Sequence, residues 1–221
     1  MQTAIVGLGN IGATVARRLA AGNVDVIVSE RNLDKARQFA SSLGPRATAM
    51  PVGDAIKAAG IVVLAMWFDA IKAMVAADRS AFSGKIVVDP SNPIVPDGKG
   101  GFTKTIADNQ SAGMIVAGLL PQDAKLVKAF GTLGAQSLAS GADRRPERAV
   151  LFYATDHAEA GRAVAGLIAA AGFSPLDVGG IDQSIRIEVG GELHEFGRLG
   201  KLVSADEAKQ LLGGQVRRDI S

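Results

Sequence analysis

The residues of this chain best placed to do chemistry are three glycines. Gly7-Leu8-Gly9-Asn10-Ile11-Gly12 has the Gly-x-Gly-x-x-Gly spacing of a dinucleotide pyrophosphate site. In such a loop the first glycine permits a tight turn out of a strand. The second lets the backbone approach the phosphates, and the third lets the following helix pack closely on the strand. The helix N-terminus then offers free N–H donors and a partial positive charge. In a chain with 27 glycines the spacing alone is a weak signal, so context has to carry it. An apolar strand pattern, Thr3 to Val6, precedes the loop, and Ala13 to Ala21 follows with Val15, Ala16 and Leu19 on one helical face. A second apolar run, Val24 to Val28, arrives where a right-handed βαβ unit needs its next strand.

The end of that second strand bears on the choice of nicotinamide cofactor. An acidic residue about 20 positions past the glycines bonds the ribose hydroxyls of NAD, whereas an arginine accommodates the extra phosphate of NADP. Glu30 and Arg31 supply both. Ser29, Arg31 and Lys35 can converge on a phosphate if Glu30 turns outward or pairs with Arg31, which favours NADP(H).

Other candidate groups are sparse. The chain has no cysteine and only two histidines, His157 and His194, so it offers no thiolate and no obvious acid–base dyad. His157 reads as a surface residue at a helix start. His194 is either a packing or interface histidine or a contact for a second ligand. Glu192 and Glu195 have helical spacing, but with no cysteine or second histidine nearby they read as a solvated face, and no metal site is expected. Trp67 is either a core aromatic or a cofactor contact at the end of a strand.

Strands alternate with helices along the elements that must position these groups. Helix Leu33 to Leu43 ends at Gly44-Pro45, and a short edge strand Ala47 to Met50 and a helix Val52 to Ala59 follow. Ile61 to Ala65 and Ile86 to Asp89 are continuous apolar runs, the mark of strands buried on both faces, with helix Ile71 to Phe82 between them. Pro90 to Phe102, broken by three prolines and three glycines, reads as an irregular loop facing the cofactor. Helix Thr105 to Leu119, strands Lys125 to Phe130 and Ala149 to Ala154, helix Ala158 to Ala171 and strand Phe173 to Val178 complete the alternation. Ile185 to Leu202 carries a helical pattern, and Gly213 to Ser221 is polar and reads as frayed. This order predicts an α/β fold of the Rossmann type, doubly wound around a mainly parallel sheet, with a small C-terminal lobe. The expected division is residues 1–120 for nucleotide binding and 121–221 for a lobe that extends the sheet and closes the cleft.

Composition narrows the partners. A formal charge of +2 with scattered basic residues argues against nucleic acid, and no apolar run reaches membrane-spanning length. The expected setting is soluble and cytoplasmic, with small-molecule cofactors as partners. The apolar residues Ile185, Ile187, Val189, Leu193, Phe196 and Leu199 predict a helical stripe that pairs two copies into a homodimer.

Several segments together resemble the coenzyme F-420-dependent NADP oxidoreductase family, whose fold also occurs in the cytoplasmic domain of the STEAP metalloreductases. They are the glycine loop, Leu64-Ala65-Met66-Trp67, Asp89-Pro90-Ser91-Asn92-Pro93, Leu119-Leu120-Pro121, Val127-Lys128-Ala129-Phe130, and Ala171 to Gly179. The resemblance runs from Ile5 to about Leu202. It departs from the family at Glu30, where members usually carry a small polar residue. It implies hydride transfer between NADP(H) and coenzyme F-420 or a flavin, ring against ring, with no catalytic side chain required. It further implies that Ala65, Met66 and Trp67 lie along the nicotinamide ribose. Ser91, Asn92, Ala129 and Phe130 would border the second ring. Arg186 and Arg198 are either unpaired surface arginines or contacts for the acidic tail of the acceptor. The competing readings are an NADP(H)-binding sensor without turnover and a carbonyl or imine reductase. The second lacks the downstream helical domain that usually supplies its proton donor.

Overall fold

In the computed structural model, which describes residues 1–216, the apolar runs become strands of one sheet. The first half holds β1 (Thr3–Val6), α1 (Asn10–Ala21), β2 (Val26–Ser29), α2 (Leu33–Leu43), β3 (Ala47–Ala49), α3 (Val52–Ala58), β4 (Ile61–Leu64), α4 (Phe68–Ala77) and β5 (Ile86–Asp89). A hairpin of β6 (Ile94–Pro96) and β7 (Phe102–Lys104) stands apart from the sheet. Next come α5 (Ala112–Leu119), β8 (Lys125–Ala129), α6 (Ala135–Ser140), β9 (Val150–Ala154), α7 (Ala158–Ala170), β10 (Ser174–Asp177) and α8 (Ala205–Val216). The strand order is β10-β9-β8-β5-β4-β1-β2-β3, and every pair is parallel except β8 with β9. This is a doubly wound Rossmann-type sheet. Chain progression reverses between β1 and β4, which makes the carboxyl edge there the switch point where such sheets bind ligands.

Side chains alternate across this sheet into two cores. Ile5, Val28, Val63, Val88 and Val127 face α1 and α7 with Val15, Leu19 and Val164. Ala4, Val6, Ile27, Val62, Leu64 and Val87 face α3, α4 and α5 with Ile56, Ile71, Val75 and Val116. Central strands buried on both faces are what continuous apolar runs dictate.

Several elements differ from the sequence expectation, among them the helix expected over Ile71 to Phe82, which runs from Phe68 to Ala77 and is followed by a separate 3-10 turn, Arg79–Phe82. Pro90 to Phe102 is not wholly irregular, because Asp97 turns the hairpin by accepting from Lys99 N at 2.7 Å and Gly101 N at 2.9 Å. Gly98 and Gly100 take left-handed φ values of 74° and 92° in that turn. The helix expected from Thr105 begins only at Ala112, because Thr105 N is bound to Pro93 O at the base of the hairpin and Ser111 is the N-cap.

Ile185 to Leu202 is not a helix. A 3-10 segment, Ile181–Ile187, gives way to turns in which a carbon added to Gly197 would lie 1.9 Å from Gly191 O. Ile187 and Leu193 are buried with Val150, Phe152 and Val203 in a third core on the chain's own β9. The segment therefore presents no continuous apolar stripe from which to pair two copies. The sequence pattern also passed over α6 and α8. Of Gly213 to Ser221, expected to fray, the backbone to Val216 continues α8 and residues 217–221 lie outside the described residues. Among the described residues, no helix is long and apolar enough to cross a membrane.

Candidate functional site

The glycine loop has the geometry its spacing asks for. Gly7 has φ 97°, and a side-chain carbon there would come within 2.5 Å of Ala65 O. A carbon on Gly12 would lie 1.9 Å from Gly7 O, so this residue fixes how closely α1 approaches the turn. Gly9 differs: an added carbon meets nothing within 4 Å, so the position opens onto space. It is also the N-cap of α1, with no side chain to cap the helix and no acidic residue in the first turn. The first N–H groups of α1 are left for a ligand, an arrangement suited to an anion.

That space is one cleft of about 1110 Å³ along the carboxyl edge of the sheet. It is larger than most sites for a single small molecule, which run to roughly 1,000 Å³. Gly7, Leu8, Gly9, Asn10 and Ile11 form its floor, and Glu30, Arg31 and Lys35 form one end. Ala65, Met66 and Trp67 line its middle, with Ser91 and Asn92 beyond. Trp67 is no core aromatic: it is 57% exposed. Phe102 on the hairpin and Phe196 in the C-terminal segment, 55% and 61% exposed, also line the cleft.

Four of the expected site residues do not reach the cleft wall. Gly12 acts from beneath, through its contact with Gly7. Ser29 is fully buried, and its hydroxyl donates to Met50 O at 2.7 Å, so it cannot converge on a phosphate with Arg31 and Lys35. Ala129 and Phe130 are also buried, as the end of a strand covered on both faces must be. Phe130 holds a left-handed φ of 64°, a conformation that costs a non-glycine residue about 1–3 kcal/mol and turns the chain into Gly131. The wall that Ala129 and Phe130 were expected to supply is made by Leu133, Gly134 and Ala135 just downstream. Ile94 and Phe102, from the segment expected to face the cofactor, also line the cleft, as do Val189 and Phe196, which the sequence pattern had assigned to a helical dimer stripe instead.

Gly131 O is a junction. It accepts from Asn92 Nδ2 at 3.0 Å and lies 2.9 Å from His194 Nε2, while Asn92 Oδ1 accepts from Val189 N at 2.7 Å. Asn92 thereby ties β5, β8 and the C-terminal segment together at the cleft. His194 is 1% exposed, and its Nδ1 accepts from Phe196 N at 2.9 Å. The proton therefore sits on Nε2, facing Gly131 O. Burial, helped by the Lys128 charge, pushes the imidazole down to about 4 against the opposing pull of Gly131 O and Glu195. His194 is thus neutral near pH 7 with both nitrogens engaged.

The carboxylates of this segment are not a solvated face. Glu195 accepts from Gly134 N at 2.7 Å and from the Ser137 hydroxyl at the start of α6. Glu192 pairs with Arg186 at 2.5 Å, so Arg186 is not an unpaired surface arginine, whereas Arg198 is exposed. His157 is the N-cap residue of α7, away from the cleft. Ser91, at the cleft wall, has a buried hydroxyl without a hydrogen-bond partner among the described residues, one polar atom that a ligand can satisfy.

Comparison with known proteins agrees with this geometry. Residues 2–93, which carry the glycine loop, Met66, Trp67 and Ser91-Asn92, match the family described as NADP oxidoreductase, coenzyme F-420-dependent. The match takes in the nucleotide-binding half of the chain, from β1 to just past β5. It is 29% identical over 188 residues to Metalloreductase STEAP3 of Rattus norvegicus, a match covering 85% of this chain and 36% of that protein, so the chain spans little more than a third of its curated relative. Among solved structures, hypothetical protein SMa0349 from Sinorhizobium meliloti is 32% identical with a TM-score of 0.80, covering 92% of this chain and 95% of that one. A protein designated an F-420-dependent NADP reductase from Arthrobacter sp. FB24 is 25% identical with a TM-score of 0.71, covering 83% and 86%. The cleft offers what a nicotinamide dinucleotide needs. The glycine loop and first turn of α1 would hold the pyrophosphate, and Arg31 and Lys35 a phosphate at the ribose.

Proposed function

We propose that this chain is an oxidoreductase that moves hydride between NADP(H) and a second flat ring, coenzyme F-420 or a flavin, held against the nicotinamide. The supporting observation is the continuity of the cleft. One unbroken space runs from the glycine loop past Met66 and Trp67 to a far compartment bounded by Asn92, Leu133, Val189 and Phe196. Two rings held in contact and correctly oriented need little else, since proximity supplies much of the acceleration. His194 fits that chemistry, because a buried neutral imidazole with both nitrogens engaged is not needed as an acid or a base. In this reading residues 121–221 close the far side of the cleft through Leu133, Gly134, Val189 and Phe196, and the protein works on the cytoplasmic NADP(H) pool.

Mixing the purified protein with NADPH and either F-420 or a flavin, while following the nicotinamide absorbance, tests the proposal. NADPH oxidation with at least one acceptor is expected. No oxidation with either overturns it, and tight NADPH binding without turnover would make the chain a nucleotide sensor instead.

A further inference from the structure

At the ribose end of the cleft, the side chains divide into those already committed and those free to meet a ligand. The Ser29 hydroxyl is bound to Met50 O, and Asn32 Oδ1 accepts from Asp34 N at 3.1 Å and Lys35 N at 3.2 Å, capping α2. Glu30 is half-buried in the cleft wall. Among the described residues it forms no ion pair with Arg31 or Lys35, both of which are exposed at the same end. The end of β2 thus presents one free carboxylate in the wall and two free cations at the rim.

These groups pull in opposite directions. Arg31 and Lys35 attract a phosphate on the ribose. A carboxylate in the wall repels that phosphate and accepts hydrogen bonds from ribose hydroxyls that lack it. A half-buried carboxylate without a partner also gains from any donor that reaches it. Had Glu30 paired with Arg31, both would be neutralised and the site would be indifferent to either cofactor's ribose.

We infer that Glu30 makes this cleft take NAD(H) alongside NADP(H) and is the residue that sets the ratio between them. The inference rests on the dinucleotide reading above and deepens it. Arg31 and Lys35 retain NADP(H), and Glu30 narrows its advantage.

Titrating NADPH and NADH separately by their fluorescence into the wild-type protein, Glu30→Ser, Glu30→Gln and Arg31→Ala tests this without any acceptor. Both nucleotides should bind the wild type, with dissociation constants within about tenfold of each other. Removing the carboxylate by either substitution should weaken NADH, tighten NADPH and raise the preference for NADPH by about tenfold or more. Arg31→Ala should move the ratio the other way. Because each ratio is taken within one preparation, any loss of folded protein cancels. A wild-type protein that binds NADPH alone, or a smaller change in the ratio in both Glu30 variants, overturns the inference and leaves the reductase reading intact. Binding of neither nucleotide removes both.

Discussion

Lys128 Nζ lies 2.8 Å from Asp89 Oδ2, and both side chains are buried at the carboxyl ends of adjacent strands β8 and β5. The ammonium also donates to Ser91 O at 2.5 Å and lies 3.7 Å from Glu188 Oε1. Asp89 Oδ1 in turn accepts from Ser91 N at 2.7 Å. The backbone of Ser91 is therefore held at both its N–H and its carbonyl by one buried pair, directly under the cleft. One lysine faces two carboxylates, and the excess negative charge is met by α5, whose Ala112 N and Gly113 N donate to Glu188 at 3.0 and 2.9 Å. That is the favourable place for a carboxylate on a helix dipole.

Lys128→Met should accordingly destabilise the fold by about 3–5 kcal/mol, because it leaves Asp89 and Glu188 buried without a cation. Adding Asp89→Asn to the same chain should recover part of the loss, since the two residues are coupled. Urea unfolding at pH 7 measures both, and a loss below about 1 kcal/mol for the single variant would contradict the network.

Gly12 and Gly9 should separate folding from binding. Gly12→Ala drives a methyl into Gly7 O and should cost about 2 kcal/mol or more. Gly9→Ala meets nothing and keeps an ordinary φ, so its stability should stay within about 0.5 kcal/mol of wild type. Its methyl projects into the open space proposed for the pyrophosphate, however, and NADPH binding should weaken about tenfold, or ~1.4 kcal/mol. Thermal unfolding with and without nucleotide reads both effects. A Gly9→Ala protein that binds NADPH as the wild type does would displace the pyrophosphate from this loop.

The sheet and the glycine loop were legible because each rests on a local rule. Apolar runs such as Ile61 to Leu64, short and alternating with helical patterns, point to strands buried on both faces, and Gly-x-Gly-x-x-Gly states its own backbone requirement. The far half of the cleft was less so. Val189 and Phe196 fit a helical stripe by period, yet with His194 they reach the cleft through turns set by glycine close approaches and long-range bonds to Thr132 O and Gly131 O, which periodicity does not encode. Ala129 and Phe130 mark the right strand, but a buried strand end cannot also be a surface, so the contacts pass to Leu133 and Gly134. Lys128 stood inside an apolar segment, and a lone charge there is the signal that its partners must be sought in the fold.

His194 gives the protein a pH dependence of definite sign. Its folded-state value is lowered to about 4 from an ordinary 6.5, so between those values the unfolded chain binds a proton that the native state refuses. Stability should fall as pH drops through this window, by a total on the order of 3 kcal/mol. Urea unfolding at several pH values for wild type and His194→Gln checks this. The variant should be less stable at pH 7, yet its stability should fall less steeply below pH 6.5, and equal slopes would assign the acid sensitivity to other groups.

Phe196 should matter to the acceptor and hardly at all to the fold. Its ring is mostly exposed at the cleft, tilted 44° against His194 with centroids 5.6 Å apart, so truncation removes little buried area. Phe196→Ala should cost less than about 1 kcal/mol of stability. An aromatic pair adds about 0.5–1.5 kcal/mol beyond its area, so the KM for F-420 or flavin should rise about fivefold. The dissociation constant for NADPH should stay within about twofold, because the glycine loop, Arg31 and Lys35 proposed to hold its phosphates lie at the other end of the same cleft. If NADPH binding weakened as much as the acceptor's KM rose, Phe196 would be packing on the nicotinamide, and the second ring would have to enter from the side of Trp67 and Phe102.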